Sequence, residues 1–179
     1  VRPDIKKTIE RDIGLMKILA HTAERYSSHG KELHLSGVVE ELEKTILDEL
    51  DMMREAANAS QLRRNFLDSP KMYVPEIMWL QTRQNVMVME RVSGIAIDDI
   101  DALRDAGVDL HQLAETGVEI FFTQVFRDHF FHADIHPGNI FIKPGKNGEP
   151  AMYAPVDFGI MGSLSEFDQR YLAENFSAL

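Results

Sequence analysis

Apolar residues recur at helical spacing through the first part of the chain. Residues 3–26 carry isoleucine, methionine and leucine along one face, which predicts a first helix. A polar connection follows over 26–37, where Ser36 is the expected N-cap of the next helix. Over 38–67 the apolar positions repeat at intervals of three and four residues, so this segment is predicted to be one long helix.

Beyond residue 70 the chain alternates between short strand-like runs and helical ones. A turn rich in Pro and Gly at 144–150 separates two apolar runs, which is typical of a β-hairpin. The order of helices, strands and hairpin predicts an α+β fold. The predicted elements are strands over 76–81 and 85–92, helices over 98–107 and 109–128, a hairpin of 139–143 with 152–158, and a last helix capped by Ser165.

Composition restricts the classes of function. A hydrophobic fraction of 44% and a charged fraction of 27% are those of a soluble globular domain. The net charge of −10 argues against nucleic acid as a partner, because phosphate contacts need an excess of Lys and Arg. The chain has no cysteine, which excludes disulfides, thiolate metal sites and a cysteine nucleophile. No apolar run approaches the roughly 18 residues that a membrane span needs, so this chain is expected to be soluble.

The stretch FFHADIHPGNIFI, residues 130–142, places polar chemistry inside apolar sequence. Asp134 and Asn139 lie five residues apart, and Asp157 opens an Asp-Phe-Gly triplet after the predicted hairpin. Phosphoryl transfer from ATP needs a carboxylate near the acceptor oxygen, and an amide and a second carboxylate that hold magnesium. Kinase-fold proteins supply these groups in this order along the chain. The pattern predicts Asp134 as the catalytic residue and Asn139 and Asp157, which the hairpin brings side by side, as ligands of Mg²⁺.

Two other interpretations fit the same loop. His132, Asp134 and His136 alternate along the chain and could hold a metal ion directly, as in a metal-dependent hydrolase. The loop could also be a buried connection with satisfied polar groups and no chemistry.

Four stretches carry a resemblance to a known family. The chain resembles the UbiB family, also called the ABC1 or ADCK family, whose members are atypical kinase-like proteins tied to ubiquinone biosynthesis. The similarity covers essentially the whole chain and is strongest to the proteobacterial members. The stretches are DELDMMREAANA at 48–59, MVMERVSG at 87–94, FFHADIHPGNIF at 130–141 and DFGIMG at 157–162.

The resemblance implies a fragment of a protein-kinase-like fold. Residues 1–94 would form a partial N-lobe with a helical insertion and an αC-like helix, and residues 95–179 a partial C-lobe with the catalytic loop and Asp-Phe-Gly. The glycine-rich and lysine region is expected upstream of Val1, and hydrophobic membrane segments beyond Leu179. The fragment alone is therefore expected to be inactive, and the full-length protein to lie on the cytoplasmic side of the bacterial inner membrane.

The resemblance also implies roles for individual residues. Glu49 is similar to the αC glutamate that pairs with the ATP-site lysine, and Glu55 would face the same site. Glu90, Arg91 and Val92 would contribute backbone groups beside adenine. In the catalytic loop, His132 would be a structural anchor, and the resemblance implies no role for His136.

The implied function is that of a kinase or ATPase in ubiquinone biosynthesis that binds ATP with Mg²⁺. The catalytic loop lacks the arginine of protein kinases, and the segment from Gly159 to Ser165 leaves no room for a long activation loop. A small or lipid-like acceptor, or ATP hydrolysis, is therefore favoured. Implied partners are ubiquinone-biosynthesis proteins or a polyprenylphenol-type lipid. The alternative is a nucleotide-sensing, lipid-binding scaffold with little catalysis of its own.

Overall fold

The computed structural model describes residues 4–26, 34–145, 149–165 and 167–170, and of Asp48 and Glu49 it describes the backbone only. The chain divides into two compact units. The first comprises Val1–Arg54 with Thr82–Met87, and the second comprises Glu55–Gln81 with Val88–Leu179. The expected division into two lobes at residue 94 stays a prediction.

Two packed helices form most of the first unit, α1 at Ile5–Tyr26 and α2 at Leu35–Glu49. The first helix is confirmed where it was expected. Ser36 is not the N-cap of α2, because it lies inside the first helical turn. Its N–H and its hydroxyl both donate to the Glu24 carboxylate, each over 2.7 Å. These two bonds lower the pKa of Glu24 and tie the helices together.

The predicted single helix over 38–67 is wrong, because the chain breaks between α2 and a separate helix, α3, at Met52–Asn65. Asp51 causes the break: its Oδ1 accepts the N–H of Met53 over 2.9 Å, which is the bond of an N-terminal cap. The new start changes which positions of the helix are buried. Met53, one of the apolar positions in the predicted repeat, is 38% exposed. The buried residues of α3 are Ala56, Ala59 and Leu62.

The second unit is built around a small antiparallel sheet with helices beside it. Its strand order is β1 (Ile95–Ala96), β3 (Ile140–Lys143) and β4 (Met152–Pro155). The residues Leu103, Leu113 and Ile142 form a core cluster. The predicted hairpin and helices are confirmed, and a π-helical turn at Thr123–Arg127 extends the helix at Leu110–Phe122. The elements are β1 Ile95–Ala96, α4 Ile100–Asp105, α5 Leu110–Phe122, β2 Phe130–His132, β3 Ile140–Lys143, β4 Met152–Pro155 and β5 Met161–Ser163.

The strands predicted over 76–81 and 85–92 do not form a regular ladder. An isolated antiparallel bridge joins Ile77 to Met89, and Met78 N–H donates to Val88 O over 2.8 Å. The first run is cut short because Gln81 N–H donates back to Met78 O over 3.0 Å, which turns the chain. Across the described ranges, no helix combines the length and apolarity that a membrane crossing requires.

Candidate functional site

The hairpin of β3 and β4 brings the two predicted magnesium ligands together. Asn139 immediately precedes β3, and Asp157 lies two residues after β4. The strands pair in register, and Val156 N–H donates to Asn139 O over 2.9 Å just beyond the last strand pair. The side-chain amide of Asn139 then donates to Asp157 Oδ2 over 2.7 Å. A short chain reversal therefore places an amide against a carboxylate, as the spacing predicted.

This pair has the donor chemistry for a hard cation. Carboxylate and amide oxygens are ligands that Mg²⁺ accepts, with water and phosphate oxygens completing its shell. The amide nitrogen of Asn139 faces Asp157, so coordination requires the amide to rotate and present Oδ1. The other carboxylate oxygen of Asp157 accepts Gly159 N–H over 3.0 Å. The residues present thus fit a magnesium ion that is shared with a nucleotide.

His132 links the catalytic loop to the Asp157 strand. Its Nδ1 accepts Asp134 N–H over 3.2 Å, and its Nε2 donates to Asp157 O over 2.9 Å. The backbone N–H of His132 donates to Oε1 of the buried Gln124 over 3.0 Å. Accepting at one nitrogen and donating at the other specifies the Nε2–H tautomer. The imidazole therefore acts as an anchor between two functional segments.

The direct histidine–metal interpretation finds no support in this geometry. Both ring nitrogens of His132 are used in hydrogen bonds, and Nδ1 of His136 accepts Gly138 N–H over 3.0 Å. Across the residues that the structure describes, no group of three or more His, Cys, Asp or Glu side chains is placed to hold a metal.

Asp134 lies on the exposed turn that follows β2. Its backbone is held by His132, and the neighbouring Ala133 N–H donates to Ile160 O over 3.0 Å. Its carboxylate makes no hydrogen bond to another described residue, so it is available to a substrate hydroxyl. The role of Asp134 as the catalytic base stays a prediction.

Helix α3 brings Glu55 against the Asp-Phe-Gly segment. The Oε1 atom of Glu55 accepts Phe158 N–H over 3.3 Å, and the side-chain amide of Asn58, one helical turn later, donates to Phe158 O over 2.9 Å. The Phe158 ring is completely buried, so the segment is held at both its backbone and its side chain. Burial raises the pKa of the Glu55 carboxyl, and the nearby charge of Asp157 acts in the same direction.

Glu49, the predicted partner of the ATP-site lysine, is the last residue of α2, and its side chain lies outside the described residues. Its role therefore stays a prediction. Asn58 and Gln124 also belong to the site, and neither was predicted from the sequence. Asn58 could have been found three residues after Glu55, since that spacing shares a helix face. Gln124 could have been found as a polar residue within an apolar helix end.

The predicted adenine-side segment precedes β1, the strand that pairs with β3. The backbone N–H of Glu90 donates to Glu76 O over 2.9 Å, so this N–H already has a hydrogen-bond acceptor within the chain. The Glu90 carboxylate accepts a hydrogen bond from Tyr73, which lowers the pKa of Glu90. Arg91 is exposed and Val92 half-buried, in irregular backbone. Their backbone contacts to adenine stay a prediction.

The segment after Asp-Phe-Gly folds directly back on the catalytic loop. Strand β5 pairs with β2, with Gly162 opposite Phe131, and a Cβ on Gly162 would lie 2.5 Å from that ring. Ser165 then caps the next helix, because its hydroxyl accepts Asp168 N–H over 3.2 Å, as predicted. The segment from 159 to 165 is therefore a short bend, strand β5 and a helix cap, with no long loop.

A cavity of about 230 Å³ lies beside the Asn139–Asp157 pair. Its wall is mostly apolar, and Asn139, His136 and Asp157 supply polar groups to it. The apolar part includes Leu62, Met72, Ile120, Phe121 and Ile135.

Comparison with known proteins gives a consistent result. The family described as "ABC1 atypical kinase-like domain" matches residues 1–179. A "Probable protein kinase UbiB" from Marinobacter nauticus is 57% identical over 99% of this chain, which covers 32% of that relative. Relatives of the same name from Pseudomonas aeruginosa and Yersinia pestis are 56% and 53% identical over 99% of this chain, which covers 33% of each. The chain thus spans about a third of these relatives.

A solved structure supports the fold. A Mycobacterium tuberculosis protein in complex with erythromycin matches with a TM-score of 0.66 and 24% identity, over 90% of this chain and 38% of that one. At that identity the likeness speaks to the fold alone, and with the family match it confirms the predicted α+β, kinase-like arrangement.

Proposed function

The chain belongs to the ABC1 atypical kinase-like family, and on that premise we propose that it forms part of an ATP-dependent kinase or ATPase of ubiquinone biosynthesis. The observation that carries this proposal is the 2.7 Å contact between Asn139 and Asp157, with His132 tying Asp157 to the catalytic loop. The kinase activity is taken from the name of its relatives, "Probable protein kinase UbiB", and the pathway from the resemblance of its motifs to the UbiB family.

Asn139 and Asp157 would hold Mg²⁺ through side-chain oxygens. When bound, the ion would neutralise negative charge on the ATP phosphates. Gly159 N–H orients the Asp157 carboxylate through Oδ1, and Oδ2 becomes available to the ion when the Asn139 amide rotates to present its own oxygen. Asp134 would accept the proton of the attacking hydroxyl, or of water if the reaction is hydrolysis. The His132 ring holds the Asp134 and Asp157 backbones at a constant separation.

Two glutamates are candidates for the acid that pairs with the lysine expected upstream of Val1. Glu49 is the sequence-based candidate. The geometry favours Glu55, since its carboxylate lies against Phe158 in the segment that carries Asp157. A charged partner for Glu55 would also offset the cost of its partial burial.

The acceptor is proposed to be small or lipid-like. β5 and the Ser165 cap take up four of the seven residues from 159 to 165, so this segment offers no long loop on which a protein substrate could dock. The largely apolar cavity beside Asp157 could take an apolar group, such as part of a polyprenylphenol-type lipid. Other ubiquinone-biosynthesis proteins, and the membrane through segments outside this chain, are the remaining proposed partners.

The alternative is a scaffold that binds nucleotide without turning it over. The decisive experiment uses a chain extended upstream through the expected lysine, compared with its Asp157→Asn and Asp134→Asn variants. Calorimetry measures ATP binding with and without Mg²⁺, and phosphate release measures turnover. An enzyme should lose binding with Asp157→Asn, and lose turnover but keep binding with Asp134→Asn. A scaffold should bind ATP and show no turnover that depends on Asp134. A folded chain that binds no ATP would overturn both functions.

A further inference from the structure

His136 is a catalytic-loop side chain to which the proposed function assigns no role. It is exposed, two residues after Asp134 and three before Asn139. Its Nδ1 accepts Gly138 N–H over 3.0 Å, which makes it the N-cap of a short 3₁₀ turn, Pro137–Asn139. A side chain that accepts a backbone N–H two residues on stabilises such a turn.

The same residue also closes the turn through its backbone. Asn139 N–H donates to His136 O over 3.0 Å, so one residue holds both amides of the turn that can donate. Pro137 supplies no N–H and restricts φ, which leaves this turn few other conformations. The turn ends at Asn139, whose side chain is the one placed 2.7 Å from Asp157.

The fit between the ring and the turn is close. A Cβ on Gly138 would lie 3.1 Å from Nδ1 of His136 and 3.3 Å from its Cε1. Those distances are tighter than ordinary van der Waals contact, so a side chain at position 138 would require the ring to shift by a few tenths of an ångström.

We infer that His136 is a positioning residue of the magnesium site: its Nδ1 holds the 3₁₀ turn that aims the Asn139 side chain at Asp157. It acts through Asn139 and does not contact the nucleotide. The inference rests on the proposed function for the identity of the metal site. Outer residues that orient metal ligands typically change metal affinity by about 10–100-fold when replaced.

Isosteric substitutions separate the two ring nitrogens. In His136→Asn the side-chain oxygen can accept Gly138 N–H, as Asn does in turns, so it replaces Nδ1. In His136→Gln the amide nitrogen reaches the position of Nε2, and the cap is lost. His136→Ala removes both. Each variant is made in the full-length protein.

Two readouts are compared. Calorimetry gives the Mg²⁺ dependence of binding to a non-hydrolysable ATP analogue, and hydrogen exchange without nucleotide reports the amides of Gly138 and Asn139. We expect His136→Asn to stay within about 3-fold of wild type, and His136→Gln and His136→Ala to weaken Mg²⁺-dependent binding by about 10-fold. Both weakened variants should also exchange these amides faster.

The opposite order would overturn the inference: affinity retained by His136→Gln and lost by His136→Asn would mean that Nε2 contacts the nucleotide. Unchanged binding and exchange in all three variants would overturn it as well. Failure of the proposed function is distinguishable, because the wild-type protein itself would then show no Mg²⁺-dependent binding, whereas the exchange data would still report whether His136 holds the turn.

Discussion

The side chains of Asn139 and Asp157 meet over 2.7 Å although 18 residues separate them in the chain. The hairpin of β3 and β4 spans that interval, and its register places the two residues at the same end. An amide and a carboxylate at this distance attract each other in the absence of metal. Two carboxylates in the same places would repel, and a cation between them would remove the repulsion.

Asn139→Asp should therefore lower stability without metal, by about 2 kcal/mol, because a hydrogen bond to a charged group is replaced by like charges. Mg²⁺ should raise the Tm of this variant more than that of wild type. Thermal unfolding with and without Mg²⁺ measures both effects. Asn139→Ala is the matched control, since it loses the hydrogen bond without adding charge. Equal Mg²⁺ shifts for Asn139→Asp and wild type would contradict a metal position between residues 139 and 157.

Glu55 makes stability depend on pH. Burial raises the pKa of its carboxyl, so the folded state favours the protonated form. Its contribution to stability is full below the ordinary glutamate pKa of about 4.3, and is lost as pH rises through the raised value. Glu55→Gln keeps an acceptor for Phe158 N–H and cannot ionise. Its Tm should exceed that of wild type at pH 7, and the difference should shrink towards pH 4.

The exposed Glu10 supplies the control for this experiment. Glu10→Gln should change the Tm by the same small amount across the whole range, as is usual for exposed surface substitutions. If the Glu55→Gln difference were also independent of pH, then ionisation of Glu55 would not be the cause of the effect.

Two helical glycines should respond oppositely to alanine. At Gly117 in α5, a Cβ would lie 2.7 Å from the Tyr153 hydroxyl, which donates to Leu113 O. Gly117→Ala should destabilise the fold by about 1–3 kcal/mol through overpacking. Gly14 in α1 has nothing within 4 Å of its would-be Cβ. Gly14→Ala should stabilise by up to about 1 kcal/mol through helix propensity.

Denaturant unfolding checks both values. Adding Tyr153→Phe to Gly117→Ala removes the clashing oxygen. The double variant should therefore lose less free energy of unfolding than the two single losses added together. Strict additivity would show that the clash with Tyr153 is not what limits residue 117.

His129, which immediately precedes β2, has a φ of 52°, in the left-handed region. Its ring lies 3.2 Å from Val125 O, a local contact that helps to hold this conformation. β-Branched residues are rare at positive φ, whereas Asn and Gly tolerate it. His129→Val should cost about 2 kcal/mol, and His129→Asn less than about 1 kcal/mol. Equal losses in the unfolding free energy would mean that the ring contact, and not the backbone, sets the cost.

Features that depend on neighbouring residues could be predicted well from the sequence. The hairpin, the Ser165 cap of the last helix and the approach of Asn139 to Asp157 follow from turn residues, an N-cap residue and strand length. Each involves a short loop, for which the closure entropy is small and one geometry dominates.

The break in the predicted helix over 38–67 does not follow from the spacing of apolar residues. The spacing of apolar residues continued through Asp51, yet Asp51 caps a new helix there, and the buried face moved to Ala56, Ala59 and Leu62. Periodicity counts apolar positions and does not register a competing side-chain hydrogen bond.

The sequence by itself determined the class of chemistry: which carboxylates and amide are present, and that a hairpin brings Asn139 and Asp157 together. Only the tertiary structure decided which acid approaches them, because that depends on which face of α3 packs against Phe158 across about a hundred residues of chain. It also decided that Gln124 and His132 form one network. Contacts between distant segments are selected by packing and burial of the whole unit, and no local pattern encodes them.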